Sequence, residues 1–325
     1  MTKFDCRLNR HTNPRRSLSQ QGKHDAEDAK AAPKARKFTD EERKWFYDAM
    51  ASGLVDEVKK MKEDVEALRN AARGETTSEE DGERLEMVLE DLIERVENVD
   101  NAGDLHTIGG MEALIGTMKC SRASVRALAA EALATTTQNH PKAQKHALEE
   151  GAMGVLIKAA ISDADDEVRG KALFALSSLT RGCDDAQRAF SLGGGAAACA
   201  KLIGHDGAER VRVKALVLGK HVFTQSEGNM ASAVEFGAIA NAAKCLESAD
   251  INCREAAARV LLDIARCVDF EKNPKAVDDF RNPATIARIA KTREMIAAMT
   301  DEGDASANAE TKVALDALDA MFAGN

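Results

Sequence analysis

One spacing recurs through the middle of this chain and limits what it can fold into. Three Val-Arg pairs lie 43 residues apart, beginning at Val125, Val168 and Val211. Three glycines keep the same 43-residue spacing, at Gly151, Gly194 and Gly237. Each glycine follows its Val-Arg pair by 26 residues, so a whole segment recurs. A repeat of about 40–47 residues is typical of stacked helical units, because one such unit cannot bury its apolar face without a neighbour.

Each copy has the pattern of three helices. The run that opens with Val-Arg carries apolar or small residues at offsets 0, 4, 5 and 8, which form a stripe along one helix face. These runs cover residues 125–137, 168–180 and 211–223. A polar break, a short helical run, the recurring glycine and a second apolar helical run follow. The glycine predicts a helix end with positive φ or a close approach of two backbones.

Composition agrees with an all-α fold. Aromatic residues make up 4% of the chain and prolines number five, and strand-like alternation is absent. Packing must depend on Ala, Leu, Val and Met, which suit closely stacked helices. We therefore predict an all-α, armadillo-like helical-repeat solenoid with N- and C-terminal helical caps. The predicted divisions are a disordered basic tail (1–37), N-terminal capping helices (38–72), a linker (73–83), armadillo repeats (84–268) and a C-terminal helical cap (269–325).

The N-terminal segment differs from the rest in charge. Residues 1–37 carry ten Lys or Arg and four acidic residues, a net charge of +6, which leaves −15 for the remainder. Because this segment is polar and almost without apolar residues, it is predicted to be disordered. Three interpretations stay open: a nuclear-import or organelle-targeting signal, a tail that touches a partner, and a plain solvated extension.

The segment after the tail is the predicted N-terminal cap. Thr39 and Glu42 have the spacing of a capping box at the start of a helix. Apolar residues follow at helical spacing, in two helices or in one that breaks near Ser52. The chain's single Trp and single Tyr, Trp45 and Tyr47, favour a role in covering the first repeat.

Less regular copies flank the central ones. Residues 84–98 form an amphipathic helix and residues 99–104 a turn, after which Gly110 opens a fourth copy 41 residues before Gly151. Terminal repeats usually vary, which accounts for the shorter spacing. Past Asp250 the period fades. The helices predicted there cover residues 252–268, 286–299 and 309–322.

Patterns typical of enzymes and metal sites are weak. The glycines at 193–195 lack the Gly-Lys-Ser/Thr ending of a phosphate loop, and the acidic run at 163–167 lacks the glycine of a calcium loop. The histidines and cysteines show no metal-ligand spacing. We expect no enzyme activity, no catalytic residue, no cofactor and no metal. The net charge of −9 argues against a nucleic-acid partner.

One short motif is specific enough to indicate a family. The segment 97–102, Glu-Asn-Val-Asp-Asn-Ala, and the segment 168–179 resemble armadillo-type nucleotide-exchange factors of the 70-kDa heat-shock chaperone, the heat-shock-protein-binding protein family. The resemblance covers roughly residues 39–250. A generic armadillo array shares the Val-Arg and Gly positions, but not the motif at 97–102.

The resemblance implies a co-chaperone that is not an enzyme. Members wrap a concave face around one lobe of the chaperone's nucleotide-binding domain and displace the other lobe, so that ADP leaves. The family's contacts correspond here to the turn at 98–102 and to the basic pair Arg212 and Lys214. The outward-facing offsets of the Val-Arg helix in the preceding copy add Arg169 and Lys171. The expected partner-binding residues are therefore Glu97, Asn98, Asn101, Ala102, Arg169, Lys171, Arg212 and Lys214.

Each of these residues also has a structural interpretation. Arg and Lys on a repeat helix often pair with Glu of the next repeat, and Leu128 interrupts the basic row in the first copy. Asn98 and Asn101 have the character of residues that satisfy backbone groups at a helix end.

An armadillo scaffold or peptide adaptor without exchange activity is the alternative function. Importin-like adaptors carry a ladder of Asn, with Trp before it, along the groove helices. The corresponding Asn positions hold Thr135, Ser178 and His221. The corresponding Trp positions hold Glu131, Phe174 and Val217, so the adaptor ladder is missing.

Cellular context is inferred from what the sequence contains. Seven cysteines at irregular spacings fit a reducing compartment. No stretch approaches about 18 apolar residues, and the first 20 residues lack the apolar run of a secretory signal, so no membrane association is expected. We expect a cytoplasmic monomer, with the nucleus left open as a second compartment.

Overall fold

The computed structural model describes residues 38–74 and 78–322, and every regular element in these ranges is an α-helix. This confirms the predicted all-α class. The predicted disordered tail, residues 1–37, lies outside the described residues. The chain divides into two compact units after Glu57. The helices are α1 (Asp40–Ala72), α2 (Glu79–Val96), α3 (Val99–Thr107), α4 (Gly110–Thr117), α5 (Ala123–Thr137), α6 (Pro141–Glu149), α7 (Ala152–Ser162), α8 (Asp166–Thr180), α9 (Asp184–Leu192), α10 (Gly195–Ile203), α11 (Glu209–Phe223), α12 (Glu227–Glu235), α13 (Ala238–Cys245), α14 (Ile251–Cys267), α15 (Pro274–Arg281), α16 (Pro283–Ala297), α17 (Glu302–Ala307) and α18 (Ala309–Phe322).

The first unit holds the N-terminal part of α1. The predicted capping box is present: Thr39 N donates to Glu42 Oε2 at 2.9 Å, and Glu42 N donates to Thr39 Oγ1 at 3.1 Å. The predicted interruption near Ser52 is wrong, because α1 continues through it. A single glycine costs a helix interior only about 1 kcal/mol, which the flanking helix formers offset. Trp45 and Tyr47 are each 71% exposed, so neither is buried as a covering residue would be.

The second unit is a stack of three-helix repeats. Each complete repeat has two short helices and one long helix, and the repeats are α3–α4–α5, α6–α7–α8, α9–α10–α11 and α12–α13–α14. The long helices pack side by side in chain order: α2 on α5, α5 on α8, α8 on α11 and α11 on α14. We call this row of long helices the helix ladder. The predicted helical-repeat solenoid is confirmed.

The repeat continues past the point where the sequence period fades. α16 packs on α13 and α18 packs on α14, which are the positions that the next short and long helices would take. Pro274 and Pro283 open α15 and α16, where a proline lacks only an amide that would have no helical partner. The C-terminal helices therefore form a modified repeat that is visible in the packing but not in the residue spacing.

Each short second helix follows a glycine with a left-handed backbone. Gly151, Gly194 and Gly237 have φ values of 80°, 79° and 83°, as the sequence predicts. In the first repeat the residue is Gly109, with φ of 75°, so the predicted assignment to Gly110 is wrong by one position. Gly110 must be small for a different reason. A Cβ there would lie 2.3 Å from Leu105 Cδ1.

The helices before the first repeat also differ from the prediction. α2 begins five residues earlier than expected, because Ser78 and Asp81 form a capping box in which Asp81 N donates to Ser78 Oγ at 3.1 Å. The predicted linker over 73–83 is therefore shorter at its C-terminal end. Residues 99–104, predicted as a turn, belong to α3, which Asn98 caps.

Small residues dominate the contact between long helices. Five buried alanines of α5 allow close packing on its neighbours, namely Ala127, Ala129, Ala130, Ala132 and Ala134. At the start of the second unit, α1 contributes four buried residues, Met61, Val65, Leu68 and Ala71. Across residues 38–74 and 78–322, no helix combines the length and apolar character that crossing a bilayer requires.

Candidate partner-binding surface

Three rows of side chains cross α5, α8 and α11 on the side that the core leaves accessible. They lie three, six and ten residues after the valines of the Val-Arg pairs. The first row is Leu128, Lys171 and Lys214, the second is Glu131, Phe174 and Val217, and the third is Thr135, Ser178 and His221. Eight of these nine residues are at least partly exposed, and Ser178 is buried. We call the nine residues the ladder face.

The two lysines of the ladder face join neighbouring long helices. Lys171 Nζ forms an ion pair with the carboxylate of Glu131 on α5. Lys214 Nζ donates to the backbone oxygen of Gly170 on α8 at 3.1 Å and lies 5.4 Å from the centre of the Phe174 ring, within cation–π range. Burial lowers the pKa of Lys214, and repulsion from Lys171 adds to this effect. Lys171 thus meets a neutralising carboxylate, whereas Lys214 meets an uncharged carbonyl and a ring.

A cavity of about 230 Å³ opens beside Lys214. Phe174 and Val217 supply apolar lining, and the loop after α5 adds Gln138 and Asn139. Val217 is 52% exposed, so it adds accessible apolar surface to this cavity. An apolar hollow with a lysine in its wall suits an apolar side chain of a partner next to an acidic or carbonyl group.

The arginines of the Val-Arg pairs hold backbone groups of the repeats. Arg169 Nη1 donates to the backbone oxygen of Ile161 at 2.7 Å, near the end of α7. Arg212 Nη1 donates to the backbone oxygen of His205 at 3.1 Å, just after α10. The same arrangement recurs in the flanking repeats, at Arg126 and Arg254. Each guanidinium therefore satisfies carbonyls that a helix end leaves without a helical partner. We call these four residues the arginine row.

One member of this row also forms a nearly buried ion pair. Arg126 Nη2 and Nε donate to the two carboxylate oxygens of Asp163 at 2.7 and 2.8 Å. Burial opposes the ionisation of Asp163, but the hydrogen bonds from Arg126 and from the backbone N of Asp165 outweigh it, so its pKa is lowered. Asp165 in turn caps α8. Residues 163–165 therefore form the turn between α7 and α8 within one repeat, and the acidic run continues into α8, which begins at Asp166.

The motif at 97–102 forms the junction between α2 and α3. Asn98 Oδ1 accepts from Asp100 N at 2.9 Å and caps α3. Asn101 Nδ2 donates to the backbone oxygen of Arg95 at 3.0 Å, at the end of α2. Ala102 is buried, whereas Glu97 and Asn98 are exposed. Only part of this motif can therefore touch a partner, and a large residue at position 102 would disturb the fold.

The junction lies along the same edge of the stack as the loop that borders the cavity. His140 caps α6 as Asn98 caps α3, and its Nε2 lies 3.1 Å from the backbone oxygen of Val99. Asn139, the residue before His140, lines the cavity beside Lys214. The exposed residues Glu97 and Asn98 are therefore one repeat away from the cavity, next to the equivalent junction.

Sequence reasoning located some of these residues better than others. The sequence singles out Phe174 and Val217, because they occupy the positions that carry Trp in an adaptor ladder, but it does not predict a docking hollow there. It also does not predict the hydrogen bonds from Arg169 and Arg212 to backbone carbonyls. The signal for those bonds was available, because a helix end precedes each Val-Arg pair by six to eight residues.

A stack of three-helix repeats with a continuous row of long helices defines an armadillo-type protein. A designed armadillo repeat protein in complex with the peptide (KR)4 has a TM-score of 0.60 to this chain, at 19% identity. The match covers 79% of this chain and 98% of that one. At this identity the likeness shows the fold alone.

Two family models match adjoining parts of this chain. The family model of the SIL1/FES1/HPBP1 C-terminal domain matches residues 101–235, and that of nucleotide exchange factor Fes1 matches residues 10–105. Hsp70-binding protein 1 of Homo sapiens is 35% identical over 156 residues, 46% of this chain and 44% of the relative. Hsp70 nucleotide exchange factor FES1 of Yarrowia lipolytica is 36% identical over 135 residues, 40% of this chain and 47% of the relative. The chain spans less than half the length of these curated relatives.

Proposed function

We propose that this protein is a nucleotide-exchange co-chaperone that binds the nucleotide-binding domain of a 70-kDa heat-shock chaperone and promotes the release of ADP. The observation that carries the proposal is the pair of adjoining family matches, one of them to a nucleotide exchange factor. The names of the similar proteins, Hsp70-binding protein 1 and Hsp70 nucleotide exchange factor FES1, support the same partner.

The mechanism we propose is selective binding and needs no catalytic residue, cofactor or metal. The factor binds the open nucleotide-binding domain more tightly than the closed one, and it shifts the equilibrium only by that difference. To move a domain from 1% open to 99% open, it must prefer the open state by a factor of about 10⁴, or about 5.5 kcal/mol. A rigid surface is suited to this task, because it loses little of this preference by adapting to the closed state.

We propose the ladder face as the binding surface. Lys214 and the apolar hollow of Phe174 and Val217 supply its centre, and Lys171 lies beside them. Glu97 and Asn98 extend the surface along the edge. Asn101, Ala102, Arg169 and Arg212 contribute indirectly, since their contacts hold the helix ends and loops in place. This division of roles is supported by the exposure of the first group and by the backbone bonds of the second.

Release of a fluorescent ADP analogue from a purified 70-kDa chaperone tests the proposal. Saturating protein should accelerate release at least tenfold, and Lys214→Glu should shift the half-saturating concentration upward. Lys158→Glu is the matched control, since Lys158 is an exposed lysine on α7 outside the ladder face. Unchanged release at saturation, with binding detected, would leave an armadillo scaffold as the function. The absence of both binding and release would remove the chaperone as partner.

We also infer a monomer in a reducing compartment such as the cytosol. Cys120, Cys183, Cys199, Cys245 and Cys253 are free thiols, which fits such a compartment. Light scattering at micromolar concentration tests the monomer, and fractionation of cells tests the location.

A further inference from the structure

The modified repeat at the C-terminal end contains a cavity that the ladder face does not include. It has a volume of about 680 Å³ and lies between α15, α16 and α18. Of the described residues that line it, nine of twelve are apolar. The volume is within the range of about 300–1,000 Å³ that small-molecule sites have in proteins. The cavity is therefore large enough to hold one ligand.

One wall of this cavity is a cluster of three aromatic rings. The ring centres of Phe280 on α15 and Phe322 on α18 are 5.1 Å apart. Phe270, in the loop before α15, packs edge-on against both, with its centre 6.3 Å from that of Phe280 and 6.1 Å from that of Phe322. Rings at these distances attract one another. The aromatic cluster is therefore held by its own contacts and does not need a ligand to form.

The facing wall is a side of α16 that its packing leaves accessible. α16 packs on α13 and buries Thr285, Thr292 and Ile296. Ile286 and Ile289 are three residues apart, so they share one face of the helix, and both line the cavity. Ile286 is 53% exposed. The helix thus turns threonines inward and leaves isoleucine surface available to a ligand.

The lining also carries two cations, of which one is already neutralised. Arg293 donates to the carboxylates of Asp316 and Asp319 at 3.0 and 2.8 Å, which ties α16 to α18. Arg281, the last residue of α15, is exposed and has no carboxylate within ion-pair distance in the described part of the chain. An anionic group at the edge of the apolar lining would find this guanidinium available.

The walls favour a ligand without polar groups along its length. A peptide brings one backbone N–H and one C=O for each residue, and these groups need hydrogen-bond partners when they are buried. The helices around the cavity use their backbone groups internally, and their apolar side chains offer no replacement. An aliphatic chain has no such requirement.

We propose that this cavity binds a long-chain fatty acid. The aliphatic chain lies between the aromatic cluster and the isoleucines of α16, and the carboxylate pairs with Arg281. Burial of about ten methylene groups corresponds to an affinity in the micromolar range. The site is separate from the ladder face, so it adds a function to the proposed chaperone binding and does not depend on it.

Displacement of cis-parinaric acid, a fluorescent fatty acid, from the full-length chain tests the site. The fluorescence of this probe should rise on binding, and dodecanoate should displace it at micromolar concentration. Dodecyltrimethylammonium has the same chain length but a cationic head group, and it should require about tenfold more, because it meets Arg281 with a like charge. Equal displacement by the two compounds would overturn the assignment of an anionic ligand.

Variants test the two walls separately, with circular dichroism as the check on folding. Arg281→Gln should weaken dodecanoate binding about tenfold through loss of the charge-assisted contact. Lys312→Gln is the matched control, since Lys312 is an exposed cation of α18 outside the cavity. Ile286→Asp should weaken binding by a similar factor, whereas Val313→Asp, at a 65% exposed position outside the lining, should not.

Two results would contradict the proposal, and neither involves the chaperone. Unchanged affinity in both Arg281→Gln and Ile286→Asp would place the fatty acid elsewhere on the protein. Displacement of the probe by an apolar peptide, but not by dodecanoate, would assign the cavity to a protein partner and overturn the lipid as its ligand.

Discussion

Two rows of basic residues on the same long helices differ in what they do. The arginine row binds backbone carbonyls at helix ends, and two residues further along each helix Lys171 and Lys214 lie on the ladder face. The arginines recur on all four long helices from α5 to α14, whereas the lysines occur on α8 and α11 and are replaced by Leu128 and Ala256 on the other two. The sequence by itself gives both rows equal claim to a partner. The difference teaches that a charge recurring in every repeat first indicates stacking, and exposure beside an apolar hollow is the observation on which we propose binding.

The largest expected effect comes from breaking the arginine row. Arg126→Met leaves the carboxylate of Asp163 nearly buried without its guanidinium partner, and we expect a loss of about 3–5 kcal/mol in the free energy of unfolding. Urea denaturation followed by circular dichroism measures it. The double variant Arg126→Met with Asp163→Leu should recover most of the loss. A loss below about 1 kcal/mol would mean that this row does not support the framework.

On the ladder face the effect should fall on binding. Lys214→Glu should weaken chaperone binding by about 2 kcal/mol, roughly 30-fold in Kd, as expected for a central residue of an interface. Titration calorimetry measures the affinity, and urea denaturation should show a stability close to wild type. Lys158→Glu should change neither quantity. Comparable losses of affinity in both variants would indicate general charge attraction and not a defined hollow.

Asn98 tests the comparison further, because it caps a helix, as framework residues do, and is exposed, as proposed binding residues are. Asn98→Ala removes the cap of α3 and should cost about 1 kcal/mol of stability. Asn98→Ser keeps a capping oxygen and should restore that stability. If the exposed amide also contacts the partner, Asn98→Ser will bind the chaperone more weakly than wild type although its stability is restored. Full recovery of affinity in Asn98→Ser would assign this residue to the framework alone.

The smallest expected effect concerns a histidine contact between the first two repeats. The rings of His106 and His146 stack with their centres 3.7 Å apart, and burial, with repulsion from His106, lowers the pKa of His146. Lys142 and Lys145 lower it further, whereas Glu149 opposes them. The pKa of His146 is therefore lower in the folded chain than in the unfolded one, so below about pH 6.5 the unfolded chain binds a proton more readily. The stability contributed by neutral His146 should be complete above that pH and decline as pH falls toward the folded pKa.

Urea midpoints between pH 5.5 and 7.5 measure this decline. His146→Gln should flatten the dependence, because the side chain that charges on unfolding is gone. His221→Gln, at an exposed position of the ladder face, is the matched control and should keep the wild-type slope. An unchanged slope in His146→Gln would place the acid sensitivity elsewhere in the framework.

The parts of this fold that could be predicted are those that the period encodes directly. Helical stripes and the glycines at 151, 194 and 237 recur because each unit meets its neighbour in the same way. The register at Gly109 could not be settled by spacing, because Gly110 is also constrained, through its contact with Leu105. The C-terminal repeat was not predicted, because α16 and α18 pack as the earlier repeat helices do but with different residues at the contacts.

The candidate site is harder to predict from the sequence than the fold, for a physical reason. Whether an arginine reaches a carbonyl or the solvent depends on where the preceding helix ends, and helix ends are set by caps that single residues decide. Ser78 illustrates this, since its capping box lengthens α2 by five residues against the predicted start. The exposure of Val217 depends in turn on how far α8 and α11 stand apart, which no local pattern encodes.

The left-handed glycines give the chain the same backbone turn before the second short helix of each repeat. Tandem duplication of a 43-residue block, cut at equivalent points of adjacent repeats, would therefore add one repeat and keep the contacts between neighbouring repeats. A one-residue difference in repeat length is also accommodated, since Gly109 lies 42 residues before Gly151 whereas the later glycines are 43 residues apart. The number of repeats can thus change without altering the contacts within each repeat.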